Sequence, residues 1–208
     1  MERDRILAWL ADQVPPARLR HILGVEQLAQ DLAAHYQLNV VQAQKAGLMH
    51  DLAKYFPPSR LLAIAQQAGV EIDDICHTTP HLLHAEVSAM IARDEFGETD
   101  PEVLSAIRHH TLGQPEMSPL SCVLFIADAL EPSRGNSEEL VKLRHTMKED
   151  LYGTVWKTSD YGLQYLLNKR CIIHPRTILT RNWAMQQSLK SHGVHPPESL
   201  RPSLHEKT

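Results

Sequence analysis

The sequence predicts an all-α fold, and three of its features lead to that expectation. Apolar residues recur at steps of three and four along almost the whole chain, which is the spacing that keeps one face of an α-helix apolar. Alternating runs and β-branched runs of strand length are scarce. Prolines, glycines and capping residues interrupt the apolar pattern where helix boundaries are expected. We therefore expect a bundle of helices.

These interruptions define the elements in order along the chain. In "TDPEVLSAI", for example, Asp100 is suited to cap a helix, Pro101 fits the first helical turn, and Glu102 complements the positive end of the helix dipole. The same signals, read from the N-terminus, place helices at about 2–13, 16–35, 40–54, 58–68, 81–96, 101–111, 118–131, 137–149, 154–169 and 176–191.

The length and composition of the chain predict one domain with a small helical extension. With 208 residues, of which 43% are hydrophobic and 22% charged, the chain can bury a full core. We expect residues 1–150 to form that core and residues 151–192 to form a helical extension packed on it. Residues 193–208 are polar and contain prolines, so we expect a flexible tail there.

The net charge and the cysteine content argue against several kinds of binding partner and metal site. The net charge of -4 and the pI of about 6.3 provide no general attraction for nucleic acid, so any phosphate binding must be local. The 3 cysteines are widely spaced and form no CxxC motif, which argues against a disulfide framework and a zinc-thiolate site. No run approaches the roughly 18 apolar residues of a membrane span. We expect a cytoplasmic protein without nucleic-acid or membrane partners.

Six polar side chains occupy positions where the helical pattern expects apolar ones. Three histidines fall at spacings of three and four from core residues, a doublet interrupts the apolar run "AGLMHDLAK", and an aspartate interrupts "CVLFIADAL". The six are His21, His50, Asp51, His84, His110 and Asp128. Any one of them, taken alone, is more often a hydrogen-bonded core residue than a ligand.

Taken together, the six residues indicate a metal site. Each apparently buried carboxylate needs a compensating charge, and a shared cation would satisfy all of them. Imidazoles and carboxylates without thiolates suit iron, manganese, cobalt or zinc in a hydrolytic rather than a structural site. Six ligands exceed the number usually offered to one catalytic ion, so two ions about 3.5 to 4 Å apart are expected.

The order of these residues resembles that of the HD-domain metal-dependent phosphohydrolases, which are named after the doublet in "LMHDLAK". The segments "RLRHILGVEQLA", "AGLMHDLAKYFP", "LLHAEVSAMIARDEFG", "AIRHHTLGQPEMS" and "LFIADALEPSR" are similar, in order, to the motifs of the YqeK-like branch, the symmetrical bis(5'-nucleosyl)-tetraphosphatases. The likeness runs from about residue 18 to 145. It implies an HD helical bundle, an iron-preferring two-metal site, cleavage of diadenosine tetraphosphate into two ADP, and a homodimer.

The resemblance also implies roles for individual residues. One metal would be held by four ligands: His21, His50, Asp51 and Asp128. The other would be held by His84 and His110, with Asp51 bridging the two. Asp51 and Lys54 would be the residues most directly involved in the reaction.

Cationic and hydroxyl groups are expected to bind the tetraphosphate. Lys54 and Arg134 are the first candidates, and Arg18 and Thr111 follow. Lys54 could instead be a solvated lysine at a helix end, and Arg134 a surface residue that caps carbonyl groups. His109 departs from the aromatic residue more usual at its position, and it could line the pocket, act on a leaving group or face solvent.

Other functions are compatible with the same ligands. A different HD reaction, such as 5'-nucleotidase or nucleoside-triphosphate hydrolysis, would share the metal site and differ in the pocket. A cyclic-dinucleotide phosphodiesterase is disfavoured because no GYP motif follows the doublet. A non-catalytic nucleotide-sensing module is disfavoured because the ligand set is complete, whereas degenerate sites usually lose ligands.

Overall fold

The computed structural model describes residues 2–194, and within them the chain is helical throughout. The predicted all-α fold is confirmed, since no strand occurs in this part of the chain. The helices are α1 Glu2–Gln13, α2 Pro16–His35, α3 Val40–Met49, α4 Pro58–Gln67, α5 Asp74–Thr78, α6 His84–Asp94, α7 Pro101–His109, α8 Pro119–Leu130, α9 Glu138–Thr146, α10 Leu151–Asn168 and α11 Pro175–Ser191. Two short 3-10 helices lie at Pro80–Leu83 and Pro132–Arg134.

Several helices begin at capping residues that the sequence signals. The Asp100 side chain accepts a hydrogen bond from the Glu102 amide at 2.9 Å, as the segment "TDPEVLSAI" predicts. Asn39, Ser118 and Ser137 cap α3, α8 and α9 in the same way. Each cap satisfies amide groups that have no partner inside the helix.

Several expected helices end earlier than predicted, and two of these ends lie at the polar residues singled out above. The helix expected over 40–54 ends at Met49 and is followed by turns over residues 50–55, and the helix expected over 101–111 ends at His109. The Nδ1 atoms of His50 and His110 each lie 2.7 Å from the carbonyl oxygen three residues earlier. A side chain that bonds a carbonyl so close in sequence competes with continuation of the helix.

Helix α5 and the 3-10 start of the next helix are two further departures from the expected elements. The five residues of α5, which Asp73 caps, are too few to show a helical period. The helix expected from residue 81 begins as the 3-10 turn Pro80–Leu83, and α6 itself starts at His84. His84 is therefore the first residue of α6 rather than an interior one.

The C-terminal helices pack on the helices that precede them. Helix α10 packs against α8 and α11 against α10. The Thr180 hydroxyl of α11 donates to the Leu112 carbonyl after α7, and His174, just before α11, donates from Nε2 to Asp73 at 2.6 Å. The division at residue 150 stays a prediction, and the expected tail lies outside the described residues from 195 onward.

The core of the molecule lies between α2, α3, α6, α7 and α8. Its fully buried side chains include Leu32, Met49, Ile107 and Leu124. None of the helices in the described part of the chain has the length and apolar character that crossing a bilayer requires.

Candidate metal centre

The six predicted ligands converge at one place in this core. His21 comes from α2, His50 and Asp51 follow α3, His84 begins α6, His110 follows α7, and Asp128 lies in the last turn of α8. The four histidines and Asp51 are at most 4% exposed. Asp128 was expected to be buried, but 19% of its side chain is exposed because it lines a cleft beside the cluster.

Three of the histidines are held in the same orientation. His50, His84 and His110 each place Nδ1 at 2.7, 2.5 and 2.7 Å from the carbonyl oxygen three residues earlier. A carbonyl can only accept, so Nδ1 carries the proton and Nε2 presents a lone pair. All three Nε2 atoms point into the cluster, toward the Asp51 carboxylate.

His21 is oriented by a carboxylate that the sequence analysis did not single out. Its Nδ1 donates to Glu131 Oε1 at 2.7 Å, and its Nε2 lies 3.0 Å from Asp128 Oδ1. Glu131 is 1% exposed and also accepts from the Ser133 amide at 2.7 Å and from the Ser133 hydroxyl. A carboxylate behind a ligating histidine fixes its tautomer and raises its basicity. The sequence feature that could have indicated Glu131 is its spacing of three residues from Asp128, which places both side chains on the same side of the end of α8.

A glycine makes room for this carboxylate. Gly24 lies one turn after His21 on α2, and a β-carbon there would come within 2.6 Å of Glu131 Oε2. Real β-carbons do not approach an oxygen that closely, so a side chain at residue 24 would push the Glu131 carboxylate from its place beside His21.

Asp51 lies between two pairs of histidines. Its Oδ2 is 3.3 Å from His50 Nε2 and 4.0 Å from His21 Nε2. Its Oδ1 is 3.4 Å from His84 Nε2 and 3.7 Å from His110 Nε2. Each oxygen thus faces one pair, and the atoms of each set of three residues lie within 4.8 Å of one another. Asp51 thus belongs to two groups of three side chains, each of which could hold a metal ion.

Some buried polar atoms of the cluster have no hydrogen-bond partner, and a bound cation would supply one. His50 Nε2 and Asp51 Oδ1 are buried without a hydrogen bond. His84 Nε2 and His110 Nε2 are 3.2 Å apart although both rings carry their proton on Nδ1, so two lone pairs face each other. Unsatisfied buried groups are costly, and divalent ions accept this set of nitrogen and oxygen donors. The residues therefore fit a metal site.

The pKa shifts of Asp51 and His84 suit metal binding. Burial would raise the pKa of Asp51, yet His50, His110 and His84 hold it well below its usual range. Burial, together with the charge of Lys54, lowers the pKa of His84 well below its usual range. A charged carboxylate and a neutral imidazole are the forms that bind metals.

Four of the predicted phosphate-binding residues surround the cluster. Arg18 Nη1 is 3.1 Å from Asp51 Oδ2, and Arg134 Nη2 is 2.5 Å from Asp128 Oδ1. Lys54 Nζ is 3.1 Å from His84 Nε2, and the Thr111 hydroxyl lies 3.1 Å from that same atom. Burial lowers the pKa of Lys54, against the charges of Asp51 and Asp128, which raise it. Lys54 is thus packed beside the cluster. Arg134 also donates to the Asp128 carbonyl.

His109 is placed differently from these residues. Its Nδ1 is 3.3 Å from the Ser105 hydroxyl on its own helix. Burial, helped by Arg176 and Arg108, lowers its pKa to about 4, so it is neutral at pH 7. The helix rotation that points His110 inward turns His109 away, and a substrate contact by His109 stays a prediction.

Two cavities of about 330 Å³ each open beside the cluster. One reaches His21 and is lined by Arg18, Arg20, Arg134 and the half-exposed ring of Tyr55. The other reaches His84, His110 and Asp128 and is bounded on its far side by α10. The cluster thus lies next to one strongly cationic cavity and one largely apolar cavity.

Comparison with known proteins links this site to a family. The family model described as HD domain matches residues 18–133, the stretch that carries all six residues of the cluster. Over 182 residues the chain is 34% identical to the symmetrical bis(5'-nucleosyl)-tetraphosphatase of Halalkalibacterium halodurans, covering 88% of this chain and 96% of that protein. Over 190 residues it is 32% identical to the Bacillus subtilis protein of the same name, covering 90% and 100%.

A solved structure is similar over the same extent. It is described as a predicted HD superfamily hydrolase involved in NAD metabolism from Clostridium acetobutylicum. The TM-score is 0.84 and the sequence identity 32%, with 88% of this chain and 97% of that one covered. The similarity therefore includes α10 and much of α11 as well as the helices that carry the cluster.

Proposed function

The chain belongs to the HD-domain family, and on that premise we propose that it is a hydrolase that cleaves dinucleoside tetraphosphates symmetrically, converting diadenosine tetraphosphate into two ADP. Two relatives that align over nearly their whole length carry the name symmetrical bis(5'-nucleosyl)-tetraphosphatase. The structural observation that carries the proposal is Asp51, which directs one oxygen to each of two histidine pairs. That geometry suits a two-metal phosphohydrolase.

The cofactor we propose is a pair of divalent ions. One would be held by His21, His50, Asp51 and Asp128, and the other by Asp51, His84 and His110. Iron is our proposal for the native metal, and the same donors accept manganese, cobalt or zinc. When bound, two such ions lower the pKa of a coordinated water and polarise the phosphoryl oxygen that is attacked.

The surrounding side chains bind and orient the polyphosphate. Arg18 and Arg134 lie at the edge of the cluster and face the cationic cavity, where their guanidinium groups can each hold two phosphate oxygens. Lys54 and Thr111 lie on the other side, beside His84, and donate to the phosphate next to the apolar cavity. Because the cations flank the cluster on both sides, the middle of a tetraphosphate would lie over the metal ligands. Charge that develops there is stabilised by groups already in position.

The assembly and location of the protein are part of the proposal. The family resemblance implies a homodimer, and the charge and composition suit the cytoplasm. Light scattering coupled to size exclusion measures the assembly directly. A mass of one 23.5 kDa chain would contradict the dimer.

Product analysis tests the function. Protein loaded anaerobically with ferrous iron is incubated with diadenosine tetraphosphate, and the nucleotides are resolved by ion exchange. We expect two ADP per substrate. ATP plus AMP would contradict symmetrical cleavage, and no turnover by protein that holds two metal ions would contradict the substrate. Parallel reactions with AMP and ATP test the nucleotidase and triphosphatase alternatives.

A further inference from the structure

The largely apolar cavity beside the cluster lies between the HD helices and α10. One end holds Lys54 and Thr111, which face the metal ligands. Beyond them the wall is apolar and includes Leu112 and Phe125. Its volume of about 330 Å³ is within the range of roughly 300–1,000 Å³ typical of small-molecule sites, which are mostly apolar with a few placed polar groups.

Helix α10 forms the outer wall of this cavity. Thr158, Gly162, Tyr165 and Leu166 line it at the helical spacing of three and four. Gly162 leaves an opening in the wall, since a β-carbon there would meet nothing within 4 Å. Tyr165 lines the cavity and is 57% exposed, so a planar group could stack on its ring.

A buried hydroxyl in the wall lacks a partner. Thr158 is 3% exposed, and its Oγ1 has no hydrogen bond within the described chain. The other buried hydroxyls of α10 differ: Thr154 donates to the Asp150 carbonyl at 2.7 Å, and Ser159 donates to the Val155 carbonyl at 2.8 Å. A helical threonine normally finds such a carbonyl, and an unpaired buried hydroxyl is costly. The unpaired Thr158 hydroxyl therefore indicates a ligand with a polar atom that can form a hydrogen bond with it.

We propose that this cavity is a nucleoside subsite, in which α10 recognises the base and ribose of one half of the substrate. The base would stack on Tyr165 and pack against the apolar wall, and the Thr158 hydroxyl would bond a polar atom of the nucleoside. Lys54 and Thr111 then lie where the attached diphosphate enters the metal centre. This inference rests on the proposed function, and it gives the C-terminal extension a role in substrate binding.

The two cavities differ, so the two halves of the substrate are recognised differently. The cationic cavity offers three arginines and Tyr55 but no comparable apolar wall. It can hold phosphate groups and a loosely bound nucleoside. Selectivity for the base would therefore come from the α10 side.

Binding of ADP and of inorganic pyrophosphate to the metal-loaded protein separates the nucleoside from the phosphates. Thr158→Val removes only the hydroxyl and should weaken ADP binding about three- to ten-fold, the effect of one hydrogen bond, while pyrophosphate binding is unchanged. Thr154→Val is the matched control, because it makes the same change one turn earlier and does not line the cavity. Equal effects of the two substitutions on ADP binding would overturn the role of Thr158.

A second variant fills the cavity without disturbing the core. Gly162→Leu adds a side chain where there is open space, so the protein should keep its melting temperature and its affinity for pyrophosphate. ADP binding should fall about ten-fold or more, because the base loses its place against Tyr165. Unchanged ADP binding by this folded variant would refute the subsite.

The same titrations distinguish this inference from the proposed function. If wild-type protein fails to cleave diadenosine tetraphosphate yet loses ADP affinity on Thr158→Val and Gly162→Leu, the cleavage proposal fails and the subsite stands. If the wild type cleaves the substrate but binds ADP no more tightly than pyrophosphate, the subsite is wrong and the function stands.

Discussion

Replacing Glu131 by glutamine is expected to weaken the metal centre without unfolding the protein. Glu131 accepts the Nδ1 proton of His21 at 2.7 Å and two further hydrogen bonds from Ser133. Glutamine has the same shape but no charge, and it has one acceptor oxygen in place of two. The imidazole of His21 loses its anionic partner, and if the amide NH₂ faces Nδ1, the ring presents Nε2–H to the metal instead of a lone pair.

The size of the effect follows from this geometry. Loss of a partner behind a metal-ligating histidine typically costs 10- to 100-fold in metal affinity, or about 1.4 to 2.8 kcal/mol. Only the ion held by His21 should be affected, because His84 and His110 are oriented by backbone carbonyls. One of the two ions should thus become easier to remove while the other is retained.

Competition with a chelator, followed by metal analysis, measures this change. Glu98→Gln is a matched control, since Glu98 is 3% exposed and paired with Lys45 at 2.9 Å but takes no part in the cluster. Both substitutions should lower the melting temperature, and only Glu131→Gln should change metal affinity. Two ions retained with affinities within two-fold of wild type would show that the Glu131–His21 contact does not support the metal.

Four further outcomes follow from the same geometry. Asp51→Ala should abolish binding of both ions and all hydrolysis while the circular dichroism stays helical, and retained metal would refute the bridging role. Lys54→Ala should keep both metals and lose rate, so unchanged kinetics would contradict its contact with the phosphate. Gly24→Ala should cost about 1–3 kcal/mol in unfolding free energy, because its β-carbon would lie 2.6 Å from Glu131 Oε2, and should weaken the same ion as Glu131→Gln; a neutral effect in denaturant melts and metal titrations would contradict this. Removal of metal with EDTA should lower the melting temperature by about 5 to 11 °C, since an ion at 100 times its Kd adds about 2.7 kcal/mol, and an unchanged melt would argue against a buried ion.

Local signals in the sequence were sufficient for most helices and for the inward direction of the buried histidines. The caps at Asp100 and Ser118 depend on neighbouring residues, and so does the helical period that turns His21 and His110 inward. The helix ends at His50 and His110 were missed, because a side chain bonding its own backbone leaves no mark in the apolar pattern.

The sequence by itself determined the helical class of this protein and the inward direction of His21, His84 and His110, because both follow from spacing over a few turns. Only the tertiary structure decided which groups meet. Glu131 contacts His21 across 110 positions of the chain, and α10 brings Thr158 to the cavity beside His84. Contacts between distant segments depend on how the helices pack against each other, and a periodic pattern within one helix carries no information about that.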